Sequence, residues 1–298
     1  GGILQAGASF YNVTGVLAGT GTLEASGGGT LFLNPSNSSG FSGSIRVSGS
    51  AASGQSVVRI DSPNVLGMRT GSASAGSVLD LNAGILAILM DTPSVLSGGI
   101  PANVYSRSII TSHILVDHTV GNSAINQTAT FGQLGFAAGA FTTINSRNGY
   151  NVAFSSAPVV TGDGSPTITN SLQGGGILTF SGNVWSNANG SSRTMTFNGN
   201  GDTLLTSTAN FNAAASSAGQ DHNLTKFGLG ILTIQSTAST LDGNLNIQQG
   251  AVRLADFRSL NMHPTGTNTG GINLANSSTS AVLEINGNNV AQANLTTT

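Results

Sequence analysis

Apolar residues in this chain come in pairs one residue apart, again and again, with gaps too short to hold a helix. Leu232 and Ile234, Leu245 and Ile247, and Val252 and Leu254 are three such pairs. Leu232 to Leu245 is 13 residues and Leu245 to Val252 is seven. In a strand, alternate side chains face opposite ways, so each apolar pair points inward and the residue between them points to water. On this reading Arg46, Arg59, Asp80, Asn246, Arg253 and Glu284, each between apolar neighbours, face solvent. Glycine, Asn, Ser and Asp fill the gaps and supply turns, including those that need positive φ.

Composition then separates two classes. Glycine is 42 of 298 residues, charged residues are 7% and aromatics are 5%. An average soluble domain has roughly 25% charge. Low-complexity disorder shares this profile but goes with low hydrophobicity or high net charge. Here net charge is −2, hydrophobic residues are 38%, and the apolar positions are patterned. That favours a β-rich solenoid. Equivalent strands stack coil upon coil, and stacked Asn, Thr or Ser can hydrogen-bond in ladders where stacked like charges repel. At roughly 20–25 residues per coil, the chain makes about 12–15 coils and a rod of about 60–70 Å.

Several function classes fall away. Nine basic and eleven acidic residues leave no basic stripe for phosphates, and the only lysine is Lys226, so nucleic acid is not an expected partner. The longest apolar run, Ala83 to Met90, is too short to span a bilayer and reads as a buried strand. With no cysteine there is no disulfide framework and no thiolate metal site. The lack of thiols and the scarcity of trypsin-type cleavage sites lean toward an extracellular setting. The start "GGILQAG" has no Met, which reads as a mature product or a segment of something larger.

Internal repetition is the strongest organisational signal. Leu23, Gly27, Gly29, Leu31 and Leu33 match Leu224, Gly228, Gly230, Leu232 and Ile234 at a shift of 201. "SGSIRV" from Ser42 matches "DGNLNI" from Asp242, "VVRIDSPNVLG" from Val57 matches "AVRLADFRSLN" from Ala251, and "SVLDLN" from Ser77 matches "AVLEIN" from Ala281, in the same order. The copies cover about 15–99 and 224–298, with a partial copy at about 172–212 around "GGGILTFSG". The stretch 100–170 is expected to be an irregular section, either coils with longer loops or an excursion from the rod. The whole chain, 1–298, reads as one all-β domain, a parallel β-helix or β-solenoid.

The stretch from Leu224 resembles the autotransporter-associated β-strand repeat of secreted bacterial proteins. Leu224, Lys226, Gly228 and Gly230 match its Leu-x-Lys-x-Gly-x-Gly core. Leu232 and Ile234 match the first strand, Gly243, Leu245 and Ile247 the second, and Gly250, Val252 and Leu254 the third. The copy from Leu23 is looser, with Ala25 for the lysine and Ser56 for Gly250. The clear match covers about a tenth of the chain and the weaker copies about a third. The resemblance implies an exported, β-helical passenger or surface fibre that carries no catalytic residues. This chain ends in "ANLTTT", without the aromatic signature of the membrane barrel such proteins use for export.

Reactive residue types are sparse. Asp61, Asp80, Asp91, Asp163, Asp202, Asp221, Asp242 and Asp256 are spread along the chain and read as turn or surface residues. A glycan-cleaving β-helix would need some of them brought together by neighbouring coils. "NGNGDTLL" from Asn198 resembles a calcium turn of β-rolls but lacks their nonapeptide repetition. His113 and His118, five apart on a strand, are expected on opposite sides. These two, with His222 and His263, read as surface or loop histidines. Trp185, the only tryptophan, is a candidate sugar platform or a loop residue. Arg46, Arg59 and Arg253 are expected on an outer face, where surface glycans are a candidate partner. No catalytic, cofactor or metal site is expected. The expected function is non-enzymatic: a rigid segment of a bacterial surface fibre or adhesin, whose partners are neighbouring coils or copies of itself. A self-assembling filament subunit and a glycan-active β-helix are the alternatives.

Overall fold

The computed structural model describes residues 4–6, 9–34, 37–50, 54–61, 78–91, 94–95, 103–137, 139–155, 159–160, 164–181, 186–187, 192–206, 212–213, 222–236, 240–241, 243–255, 261–262, 271–275 and 280–286. Every regular element among them is a β-strand. Strands one coil apart pair in parallel, and they stack into three long faces.

Face one holds strands such as Thr22–Ala25, Ser44–Ser50, Val78–Asn82, Asn103–Ser106 and Leu134–Phe136. Face two is the longest, with eleven strands from Phe10–Val13 to Ile272–Leu274. Face three has eight, among them Thr128–Phe131, Asn151–Phe154, Ile177–Phe180, Asp202–Leu205 and Ile231–Ile234. From Val78–Asn82 to Asp202–Leu205 the chain visits one, two and three in turn and then climbs to the next coil; a two-stranded sheet, Val16–Gly19 with Asn37–Phe41, serves the first coils, and a three-stranded one, Asn212–Ala213, Thr240–Leu241 and Asn261–Met262, the last. The β-solenoid read from the sequence is therefore the fold.

The coil count differs from expectation. Register partners on face two are as close as 20 residues (Phe10 to Thr30) and as far apart as 30 (His113 to Thr143). Corner excursions lengthen the coils, so the eleven strands of face two make a rod of about 50 Å. The stretch 100–170, expected to be irregular, supplies further coils. Ser112–Asp117, Phe141–Ser146 and Thr167–Leu172 pair in unbroken register on face two.

Alternation sets the core. Leu31, Leu33, Ile45, Val47, Leu232, Ile234, Leu245, Ile247, Val252 and Leu254 are all buried, and Leu23 packs against them. Each inward position forms a column along the rod. At one position of face three Phe131, Phe154, Phe180, Leu205, Ile234 and Leu254 follow one another. Phe131 and Phe154 stack at 5.3 Å between ring centroids, and Phe154 and Phe180 at 5.2 Å. Phe197, on face two, meets Phe180 edge-on at 6.1 Å. Offset stacks of this kind add to the area these rings bury.

The sequence repeat describes a unit, not a face. Leu23 lies on face one and Leu31 and Leu33 on face two, whereas their matches lie on faces two and three. What is conserved between the copies is strand, glycine corner, strand. Gly27 has φ 73° and its match Gly228 has φ 77°. Both are left-handed, which a residue with a Cβ adopts only at a cost.

Candidate functional site

The corner between faces two and three is the most elaborated part of the rod. Asn148 and Gly149, Gly174 and Gly175, Gly199, Gly228 and Gly250 all have positive φ there, on successive coils. The backbones nearly touch from coil to coil. A Cβ on Gly228 would fall 2.5 Å from the Gly199 carbonyl oxygen, and one on Gly174 would fall 2.7 Å from the Gly149 nitrogen. Gly230 and Gly250 are hemmed in the same way by the coil before. Gly243 is packed against the His222 carbonyl at another corner.

Lys226 sits inside this corner. It is the last inward position of His222–Lys226 and is almost fully buried. Its ammonium donates to the Phe227 carbonyl at 2.8 Å and the Gly228 carbonyl at 2.5 Å. Burial pushes its pKa down to about 8, with the nearby Asp202 charge opposing the shift. Ala25 at the matching place is also buried, so the position is inward in both copies. In coils without the lysine, other polar groups serve the turn. Asn170, buried, donates to the Asp202 carbonyl at 2.8 Å and Thr203 Oγ1 at 3.1 Å and accepts from the Leu172 amide. Ser146 Oγ donates to the Tyr150 carbonyl at 2.7 Å, and Tyr150 donates to the Met90 carbonyl at 2.6 Å. Burial, reinforced by the charges of Asp91 and Asp117, holds the Tyr150 hydroxyl pKa above its usual value.

The expected site residues have specific places. In "NGNGDTLL" the side-chain oxygens accept from backbone amides: Asp202 from Ile231 at 2.9 Å, Asn200 from Leu229 at 3.3 Å and Asn198 from Gly199 at 2.7 Å. Asp202 and Asn200 tie one coil to the next, and Asn198 closes its own turn. Asn223 to Asn244, Asn244 to Gly271 and Asn151 to Ile177 repeat the device, an amide oxygen receiving the backbone N–H of the coil above. Among the described residues no three His, Cys, Asp or Glu side chains gather as metal ligands.

Asp80 overturns an expectation. It faces outward, yet its side chain is only 4% exposed. Flat faces let side chains of the coils on either side close over an outward residue. Arg46 bonds it at 2.9 Å and Arg107 at 2.5 Å. Arg46 also approaches Glu24 at 3.9 Å, so charge alternates up face one. Arg59 pairs with Asp61 at 2.6 Å and lies over the Phe32 ring, and Arg253 pairs with Glu284 at 2.8 Å. The three outer arginines are thus engaged by the protein itself.

Asp91 accepts from the Thr119 hydroxyl and amide, and the hydroxyl bond holds its carboxyl below the usual carboxylate range. Asp117 accepts from Asn148 and the His118 amide. His118 lies beyond the end of Ser112–Asp117, so strand alternation does not place it. His222, expected at the surface, is completely buried because it occupies an inward position. Asp163, Asp221, Asp242, Asp256, His263 and Trp185 lie outside the described residues.

One further feature has no local sequence signature, a cleft of about 240 Å³ on the outer side of face two. Ile85 and Leu115 form its floor, with His113 and Asn145 beside them from the same and the next coil. Burial lowers the His113 pKa. Gln55 walls one side. It stands on Gly54–Gln55, which folds back antiparallel on Ser44–Ser50, and its amide donates to the Thr111 carbonyl at 2.8 Å. Arg147 and Gln173, exposed at successive corners, wall the other side. Residues from four strands and two corners, as far apart as Gln55 and Gln173, meet here, and nothing in the local sequence marks them.

Neither a scan of protein-family models nor searches of curated proteins and of solved structures finds a match to this chain.

Proposed function

We propose that the chain is a non-enzymatic structural protein, a rigid segment of an extracellular bacterial fibre or adhesin. The observation that carries this reading is how the polar side chains are used. Asp80, Asp202, Asn151, Asn170, Asn223, Asn244 and Lys226 all spend their hydrogen bonds on holding coils and corners together. Of these Asp80, Asn170 and Lys226 are buried, and buried polar groups with their hydrogen bonds satisfied rigidify a core. Stacked coils in which each contacts its neighbours make a quasi-one-dimensional rod. The resemblance of the Leu224–Leu254 stretch to passenger repeats supplies the extracellular setting.

Immunogold labelling of unpermeabilised source cells with antibody against this chain tests the proposal. Gold at or beyond the cell envelope is the expected result. Label that appears only after permeabilisation, throughout the cell interior, overturns it.

A further inference from the structure

Among the described residues, the cleft on face two differs from the other exposed arginine positions in one respect. Arg46, Arg59, Arg107 and Arg253 each hold a carboxylate. Arg147 has no carboxylate within ion-pair distance among the described residues. Asp117, on the coil below, is occupied by Asn148 and the His118 amide. Arg147 therefore presents a guanidinium whose fork of donors matches a carboxylate. It does so at the edge of a cleft whose other lining groups are amides, a serine, a histidine and two aliphatic side chains.

The combination is specific. An aliphatic floor suits the C–H face of a pyranose ring, and amides around it can both donate to and accept from ring hydroxyls. The cleft volume, about 240 Å³, is small for a drug-sized ligand and suits a single sugar unit. From this geometry we infer that the cleft binds a carboxylate-bearing sugar unit, with Arg147 on the carboxylate, Gln55, Asn145 and Gln173 on the hydroxyls, and Ile85 and Leu115 beneath the ring. Because the floor is spread over consecutive coils, a chain of such sugars would lie across face two. The inference does not depend on the rod being a fibre, since it concerns only this cleft.

The test is saturation-transfer NMR on the full chain with two probes, methyl β-glucuronide and methyl β-glucoside, which differ only in the carboxylate. The glucuronide should bind with Kd of about 1 mM, appropriate for a ligand of this size, and the glucoside at least about tenfold more weakly. Arg147→Gln should abolish that preference. Gln173→Glu, which sets a carboxylate beside Arg147 at an exposed position, should weaken the glucuronide about tenfold while leaving the strand signal in circular dichroism unchanged. Equal transfer to both probes, glucuronide binding that survives both substitutions, or saturable binding of a glutamate dipeptide in place of either sugar overturns the inference.

Discussion

Two glycine-to-alanine changes in the same row of corners separate backbone strain from coil-to-coil packing. Gly175 and Gly228 both have positive φ, 83° and 77°. An added Cβ at Gly175 meets nothing within 4 Å, whereas at Gly228 it falls 2.5 Å from the Gly199 oxygen and 2.6 Å from its nitrogen. Alanine in the left-handed region costs about 1–2 kcal/mol, offset by about 0.4–1 kcal/mol from a less flexible unfolded chain. Gly175→Ala should therefore destabilise by about 1.6 kcal/mol or less. Gly228→Ala carries the same backbone cost plus forced separation from a neighbouring backbone, about 1–3 kcal/mol more. Urea unfolding followed by circular dichroism, with m compared between variants, measures both. Equal losses for the two variants would refute the claim that these corners are packed against each other, leaving only local turn preference.

Three further outcomes follow from buried groups. Lys226 has a folded pKa of about 8, lowered by burial from 10.5. The unfolded chain therefore binds the extra proton between those values, and stability should rise with pH from about 8 toward 10, by up to about 3 kcal/mol. In Lys226→Met that rise should vanish when melts are taken from pH 7.5 to 9.5. Asp80→Ala leaves Arg46 and Arg107, themselves 38% and 46% exposed, without their shared carboxylate and should cost about 1.5–3 kcal/mol, whereas Arg253→Ala, whose partner Glu284 is 40% exposed, should cost less than about 1 kcal/mol in the same thermal melts. Phe154→Ala removes the middle ring of a buried stack and should cost about 3–5 kcal/mol, while Phe227→Ala, 44% exposed, should stay within about 0.5 kcal/mol of wild type.

What could be read in the sequence was whatever has a short period. Alternation placed Leu232, Ile234, Leu245 and Ile247 inside, because a strand alternates every two residues whatever its neighbours do. The glycines of the Leu224 stretch marked a corner because positive φ is a local demand. Contacts between coils were not legible, since partners such as Asp80 and Arg46, or Gln55 and Thr111, are 34 and 56 residues apart. For the same reason the sequence does not show that Asp80 is covered or that the cleft exists, whereas the burial of His222 follows from the same alternation that turns Leu224 inward. Lys226 matched a repeat position, but only the stacked corner explains why a lysine can be buried there: two carbonyls turned inward receive its ammonium. Most coils are longer than the expected roughly 20–25 residues because corners such as 107–111 and 118–127 add residues without adding strands.

Each coil of the rod is held to the next by parallel ladders and closely packed corners. Single-molecule pulling on the chain from its two ends tests this most directly. A coil of 26–30 residues, as between Thr143 and Thr169 or His113 and Thr143, releases about 90–105 Å of extended chain. Resistance followed by a series of force peaks spaced by about one coil each is the expected result. Smooth extension without peaks, or one event that releases the whole chain, would contradict it.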